Sequence, residues 1–212
     1  MKKGFFISFE GCEGSGKTTQ AERLNAFFEK KHIDCTFTHE PGGTPISEEI
    51  RKILLHHNNV RMSPLTELFL YLASRAQHTE ERIIPILQKG FVVITDRYTD
   101  SSLAYQGAAR NLSLELVQRL NIIATGGILP DITFLIDIDP EEGLKRLNGK
   151  DRIENEAVAF HKKVRNAYLE IAEREKKRIM VINGERSEDE IFADILQLTK
   201  KHRRFGELYD ER

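Results

Sequence analysis

The chain has few cysteines and prolines and almost no charge imbalance. Two cysteines in 212 residues, Cys12 and Cys35, cannot make a disulfide framework. Six prolines and fourteen glycines are scattered, and no Pro/Gly/Ser-rich stretch, repeat or low-complexity segment marks a linker. The formal net charge of −1 leaves no global basic field, so no nucleic-acid partner is expected. No apolar run is long enough to span a bilayer, which argues against a membrane partner. Met1-Lys2-Lys3-Gly4 leads straight into an apolar segment without a signal-peptide pattern, so a cytoplasmic location is the default expectation. What is left is a chain, 40% hydrophobic, that suits a single domain over 1–212 with a sizeable core.

The most informative stretch is Gly11-Cys12-Glu13-Gly14-Ser15-Gly16-Lys17-Thr18. It fits the phosphate-binding loop pattern of glycine, four residues, then Gly-Lys-Thr. Glycines at 11, 14 and 16 let the backbone take left-handed turns and come close to a ligand. The amides then point into one concavity, Lys17 reaches the β- and γ-phosphates, and the Thr18 hydroxyl ligates magnesium. Phe5-Phe6-Ile7-Ser8-Phe9 ahead of the loop reads as a strand. Ala21, Leu24 and Phe28 behind it recur at helical spacing, so a helix N-terminus faces the phosphates. Without that setting the run would be only a glycine-rich turn. Cys12 inside the loop fills space; a redox-sensitive thiol is the alternative, because a helix N-terminus can lower a thiol pKa. Cys35 reads as a small hydrophobe in a strand.

Strand-like and helix-like segments alternate, which predicts an α/β fold with a parallel sheet. Strands are expected at 5–10, 34–39, 91–95, 132–138 and 179–182. Helices are expected at 17–31, 46–57, 64–89, 99–108, 114–126, 140–148, 155–177 and 188–202. Ser63-Pro64 and Asp139-Pro140 read as N-cap and first helical residue, and Ser187 to Glu190 as a capping box. Ala157, Phe160, Val164, Tyr168 and Ile171 share one helix face and predict packing on the core. The charged tail from Lys201 to Arg212 is expected to fray. The basic segment Lys145 to Arg152, broken by Gly149, reads either as a solvated loop or as a lid that closes cations over a transferring phosphoryl group.

Three further constellations carry chemistry. The apolar strand Phe91 to Asp96 ends in a carboxylate that can support Mg²⁺, followed at once by Arg97 and Tyr98. An arginine fork there suits a second phosphate-bearing molecule; a surface ion pair between Asp96 and Arg97 is the plainer alternative. Glu40-Pro41-Gly42-Gly43-Thr44 makes a tight turn after the second strand, with Arg51 on the next helix. Tyr71 and Arg75, four apart, share a helix face and can stack on and hydrogen-bond to a planar base, although such a pair also suits ordinary packing.

The phosphate loop with Glu10 before it, Glu40 to Thr44, Arg75, Asp96-Arg97-Tyr98 and Ala104-Tyr105-Gln106-Gly107 occur in an order that resembles the bacterial thymidylate kinase family of nucleoside monophosphate kinases. The resemblance runs from about residue 4 to about residue 198. It implies a P-loop NTPase fold, three α/β/α layers around a five-stranded parallel sheet, with a short lid at about 145–153. It also implies transfer of the γ-phosphoryl of ATP to dTMP with Mg²⁺, in a homodimer. Carried over residue by residue, Gly11, Cys12, Glu13, Gly14, Ser15, Gly16, Lys17, Thr18 and Thr19 hold the ATP phosphates, and Arg186 lies where family members contact adenine. Arg97 and Arg51 hold the dTMP phosphate, Tyr71 stacks on thymine, and Arg75 bonds its edge. Glu40, Pro41, Ser102, Tyr105 and Gln106 line the nucleoside pocket, and Thr18 with Asp96 attends the metal. Glu13 sits near the acceptor sugar and joins Lys17 and Arg97 in the catalytic set. The loop lacks the arginine that some members carry, so the lid is expected to supply transition-state cations from Arg146, Lys150 and Arg152.

The implied reaction joins two anions. An acceptor phosphate is largely ionised near neutral pH, so positioning and cations matter more than a base. Two other readings compete: a related kinase with another nucleotide or nucleoside acceptor, and a slow nucleotide-dependent switch. The chain has no Asn-Lys-x-Asp guanine-reading motif, which weakens the switch.

Overall fold

The computed structural model describes residues 4–147 and 151–209. The elements run β1 (Phe5–Glu10), α1 (Lys17–Lys30), β2 (Cys35–His39), α2 (Pro45–Leu55), α3 (Pro64–His78), α4 (Ile84–Gln88) and β3 (Val92–Asp96). They continue with α5 (Thr99–Ser102), α6 (Leu114–Thr125), β4 (Ile132–Asp137), α7 (Pro140–Lys145), α8 (Val158–Arg174), β5 (Ile179–Asn183), α9 (Glu188–Lys201) and α10 (Arg203–Tyr209). The five strands form one parallel sheet in the order β2-β3-β1-β4-β5. Ile7 pairs with Ile94 on one side of β1 and with Ile132 on the other.

Every residue of β1 is buried, as a central parallel strand covered on both faces requires. Phe5, Ile7 and Phe9 pack with Leu24 and Phe28 of α1 and Ile191 and Ile195 of α9. Phe6 turns to the other layer, against Val93, Ile83, Leu87 and Tyr98. Because the strands are parallel, Glu10, His39, Asp96, Asp137 and Asn183 all end at one edge of the sheet. The crevice at that edge, where β1 is flanked by β3 and β4, is where open parallel sheets bind ligands. No helix among the described residues is long and apolar enough to cross a membrane.

Thr44, Ser63 and Asp139 each cap a helix whose first turn carries proline, and Ser187 with Glu190 forms a capping box. Four expectations need correction. The helix expected at 64–89 is α3, a π-helical turn at Thr79–Ile83, and α4. That wide turn lies just ahead of Pro85, whose ring would clash with the carbonyl four residues back in an unbroken α-helix. The helix expected at 99–108 is α5 followed by a π-helical stretch, Leu103–Ala109. α8 starts later than expected, with Ala157 exposed as its N-cap. The tail does not fray over 203–209: it folds as α10, because Phe205, Leu208 and Tyr209 fall on one face. Phe205 stacks on Phe28 at 5.5 Å and meets Phe5 edge-on at 5.3 Å, and the Tyr209 hydroxyl donates to the Gly90 carbonyl at 2.8 Å.

Candidate active site

The phosphate loop joins β1 to α1, and its shape depends on glycine. Gly14 has φ +69°, and a Cβ there would lie 2.0 Å from the Gly143 carbonyl oxygen. Gly143 in turn packs against the Glu13 carbonyl, so a glycine of α7 seats the loop; its sequence signal was too weak to single it out. Gly16 has φ +87° and ends the loop at the α1 N-terminus. Lys17 opens α1 and is nearly buried. The Thr18 hydroxyl donates to Asp96 Oδ2 at the end of β3, and Asp96 Oδ1 is buried with no hydrogen-bond partner.

Arg97, next in the chain, is a non-glycine residue with φ +72°. Such a conformation is uncommon and costs on the order of 1–3 kcal/mol, so the surroundings must hold it. They do. Its Nη1 donates to the Gly11 carbonyl (2.9 Å), the Tyr168 hydroxyl (3.2 Å) and Ser101 Oγ (3.4 Å), and its Nη2 to Glu13 Oε1 (2.7 Å). The guanidinium also lies 5.1 Å from the Tyr105 ring centroid.

Glu13 links the two cationic centres. One oxygen takes the Arg97 bond and another from the Tyr105 hydroxyl at 2.9 Å, and the other oxygen lies 3.9 Å from Lys17 Nζ. Burial alone would raise its carboxyl, but Arg97 and Lys17 outweigh that and bring it down to about 2. Glu10, three residues earlier, behaves oppositely. Burial and the nearby Asp100 push it up to about 7, although Tyr98 N, Ser101 and Tyr168 all donate to it.

Lys17 and Arg97 face one cavity of about 720 Å³. Glu13, Gly14, Gly16, Thr18, Thr19 and Arg146 line its loop side. Glu40, Pro41, Arg51, Tyr71, Asp96, Ser102, Tyr105 and Gln106 line the rest. Arg51 Nη1 donates to the Pro41 carbonyl at 2.7 Å, which ties α2 to the turn after β2. That turn contains a cis Glu40–Pro41 bond and left-handed Gly42 and Gly43.

Other expected residues lie elsewhere. Gly11, Cys12 and Ser15 shape the loop from outside the cavity lining, and burial pushes the Cys12 thiol up to about 12, which favours space-filling over a reactive thiol. Arg75 does not share the cavity surface with Tyr71. It is 1% exposed and donates to Glu40 Oε2 (2.7 Å), Ser102 Oγ (2.7 Å), Asn121 Oδ1 (2.6 Å) and the Tyr98 carbonyl (2.9 Å). The buried Glu40 carboxylate draws it inward; Arg75 and His78 outweigh burial and hold that carboxyl below its usual range. Arg152 also turns from the loop, to Glu67 Oε2 (2.6 Å) and the Leu54 carbonyl (2.7 Å). Arg146 is the expected lid cation found at the cavity, with Nη1 3.5 Å from the Gly14 carbonyl. Lys150 falls outside the described residues. Arg186 is on the surface, paired with Asp194 at 2.6 Å, and does not line the cavity.

Glu67, Asn121 and His78 were not singled out from the sequence, and Tyr168 was read only as a core-packing residue. Each lies on a helix, and only the fold shows which polar groups it faces.

A family model described as thymidylate kinase matches residues 9–195. A thymidylate kinase of Thermoanaerobacter sp. (strain X514) is 46% identical over 202 residues, 94% of this chain and 99% of the relative. One from Desulfosudis oleivorans is 52% identical over 189 residues, 84% of this chain and 88% of the relative. The crystal structure of thymidylate kinase from Ehrlichia chaffeensis superposes with a TM-score of 0.77 at 31% identity, covering 92% of this chain and 97% of that one.

Proposed function

This chain belongs to the thymidylate kinase family, and we propose that its cavity brings ATP and dTMP end to end between Lys17 and Arg97. The reaction transfers the γ-phosphoryl of ATP to dTMP, giving ADP and dTDP. The observation that carries the site reading is Glu13, bonded to Arg97 and 3.9 Å from Lys17. A carboxylate shared by both cations keeps them together at one cavity, where two phosphates can meet.

The loop amides and Lys17 hold the donor phosphates. Arg97, with Arg51, takes the acceptor phosphate; its fork can donate to two oxygens at once. The acceptor is a phosphate monoester, with a second pKa of about 6, so its attacking oxygen is already ionised at neutral pH and needs no general base. Tyr71 and Tyr105 supply aromatic surface for the nucleoside. Arg146 at the loop carbonyl is the lid cation best placed to reach the transferring group.

Magnesium fits the residues present. The Thr18 hydroxyl meets Asp96, whose second oxygen has no partner, and no cluster of three or more His, Cys, Asp or Glu stands ready among the described residues to cage a metal. That is the donor set of an ion held largely by phosphate and water. Held with ATP at Thr18 and Asp96, the ion would supply positive charge against the phosphates.

Exposed apolar side chains support a homodimer. Leu65 and Phe69 of α3 and Leu116 and Ile123 of α6 are exposed on two helices that pack side by side through Leu68, Leu72 and Val117. A second copy presents the same face and buries it in a two-fold interface. A cytoplasmic location accords with free nucleotide substrates.

The test is a coupled assay for ADP. Release that depends on dTMP supports the reading. Release that does not respond to dTMP, or that responds equally to every nucleoside monophosphate, overturns it.

A further inference from the structure

The acceptor end of the cavity carries a feature the phosphate chemistry does not use. Gln106, in the π-helical stretch after α5, lines the cavity beside Ser102 and Tyr71, yet its amide nitrogen points away. Nε2 donates to Glu67 Oε1 at 2.9 Å. Glu67 is 1% exposed and accepts from Arg110 (Nε at 3.2 Å, Nη2 at 3.1 Å) and Arg152 (Nη1 at 2.6 Å) as well. Flanked by two guanidinium groups, the carboxylate is ionised and can only accept. Its neighbour Gln106 must therefore show it the NH₂ group, not the carbonyl. No hydrogen bond among the described residues ends on Gln106 Oε1, which is left for a ligand. Ser102 Oγ accepts from Arg75 at 2.7 Å, so its own proton is free to donate. The wall then presents a donor from Ser102 and an acceptor from Gln106.

From this, and resting on the proposed site for dTMP, we infer that Glu67 is a positioning residue for base selection. By holding the Gln106 amide in one orientation, it makes the cavity accept a pyrimidine whose ring nitrogen carries N–H, and turn away one whose ring nitrogen carries a lone pair. Thymine and uracil have a carbonyl beside a ring N–H. Cytosine has an amino group beside a bare nitrogen, so its ring nitrogen meets Gln106 Oε1 acceptor against acceptor. A site that leaves buried polar groups opposed rejects an analogue far more strongly than one that merely lacks a methyl group. Arg75 also contributes by orienting Ser102.

The experiment compares binding of dTMP and dCMP, by titration calorimetry, to the whole chain and to Glu67→Gln. The variant's amide can offer either edge, so Gln106 is free to turn. The dTMP-over-dCMP affinity ratio should fall at least about tenfold, the cost of roughly one opposed hydrogen bond. Damage that is only structural lowers both affinities together and keeps the ratio; that result overturns the inference. Should Glu67→Gln not fold, Gln106→Leu keeps the question open to test, since both arginines still pair with Glu67. The ratio must collapse there too, and a ratio held at the parent value sinks the idea. Failure of the site reading is separate: it shows as no dTMP-dependent ADP from the unaltered chain.

Discussion

The proposed donor side of the cavity is built mainly from backbone, and the proposed acceptor side from side chains. On the donor side, Gly11, Gly14 and Gly16 bend a short loop that runs into Lys17 in consecutive residues, with Gly143 of α7 packed behind it. On the acceptor side, Arg97 takes an uncommon backbone shape and is fixed by Gly11 and Glu13, Ser101, and Tyr168, from three places in the chain. Behind it, Arg75 gathers Glu40, Ser102, Asn121 and Tyr98. A backbone cradle is written in consecutive residues. A side-chain cradle is written in pairs that the fold brings together.

Removing the side-chain cradle's main cation should break the contrast most sharply. Arg97→Ala is expected to lower kcat/KM for dTMP by on the order of 10³, the usual loss for a cation aimed at a transferring phosphoryl group. ATP affinity should fall far less, because Lys17 and the loop glycines remain although the loop loses the Arg97 bonds to Gly11 and Glu13. Steady-state kinetics beside an ATP titration measures both. A parallel loss of ATP affinity would mean that the two sides are one site.

That contrast also sorts what the sequence made legible. The loop spacing, the β3 run ending in Asp96-Arg97 and the five apolar strand runs were all readable, because each depends on neighbours in sequence. The orientation of Arg75 was not: Tyr71 and Arg75 share helical spacing, but the buried Glu40 carboxylate draws the guanidinium inward. Arg152 was read as a lid cation for the same reason, since nothing in its vicinity announces Glu67, 85 residues away. The tail was a different miss. Its charges hid a usable signal, Phe205, Leu208 and Tyr209 at helical spacing.

Two carboxylates at the ends of one loop sharpen the comparison by pH. Glu13 is held at about 2 in the folded chain against an ordinary 4.5. Its contribution, roughly 3 kcal/mol, is present above pH 4.5 and is lost as pH falls toward 2. Glu10 is raised from 4.5 to about 7, so the unfolded chain releases its proton first and stability drops as pH climbs between those values. Urea denaturation across pH should show Glu13→Gln losing the acid-side slope and Glu10→Gln losing the decline toward neutrality. Slopes unchanged in both variants would remove the electrostatic account of the loop.

The backbone cradle breaks through glycine. Gly14→Ala places a Cβ against the Gly143 carbonyl and demands φ +69° of an alanine. The left-handed conformation alone costs roughly 1–2 kcal/mol, so ATP affinity should fall about tenfold or more while dTMP affinity holds. Gly16→Ala carries the same conformational cost at φ +87°, but its Cβ meets nothing within 4 Å. It should therefore be the milder variant of the two. Equal effects would show that conformation, and not the α7 contact, governs the loop.

Cys12 should give the smallest effect. It lies in the middle of the donor loop, where a helix N-terminus ordinarily lowers a thiol pKa, yet burial pushes it up to about 12. Its Sγ lies 3.9 Å from the His161 carbonyl, and it packs among Phe160, Val164 and Tyr168 of α8. The side chain lies outside the cavity lining and among these apolar groups, which explains how one loop can attract phosphate and leave a thiol neutral. Cys12→Ser is expected to keep kcat within about twofold, with a small stability loss from seating a hydroxyl among apolar groups. Iodoacetamide at neutral pH should label the folded chain no faster at Cys12 than at Cys35, where burial also raises the thiol. Rapid labelling at Cys12 that ATP prevents would show that the dipole reaches the thiol after all, and that the loop's backbone field is not confined to the cavity.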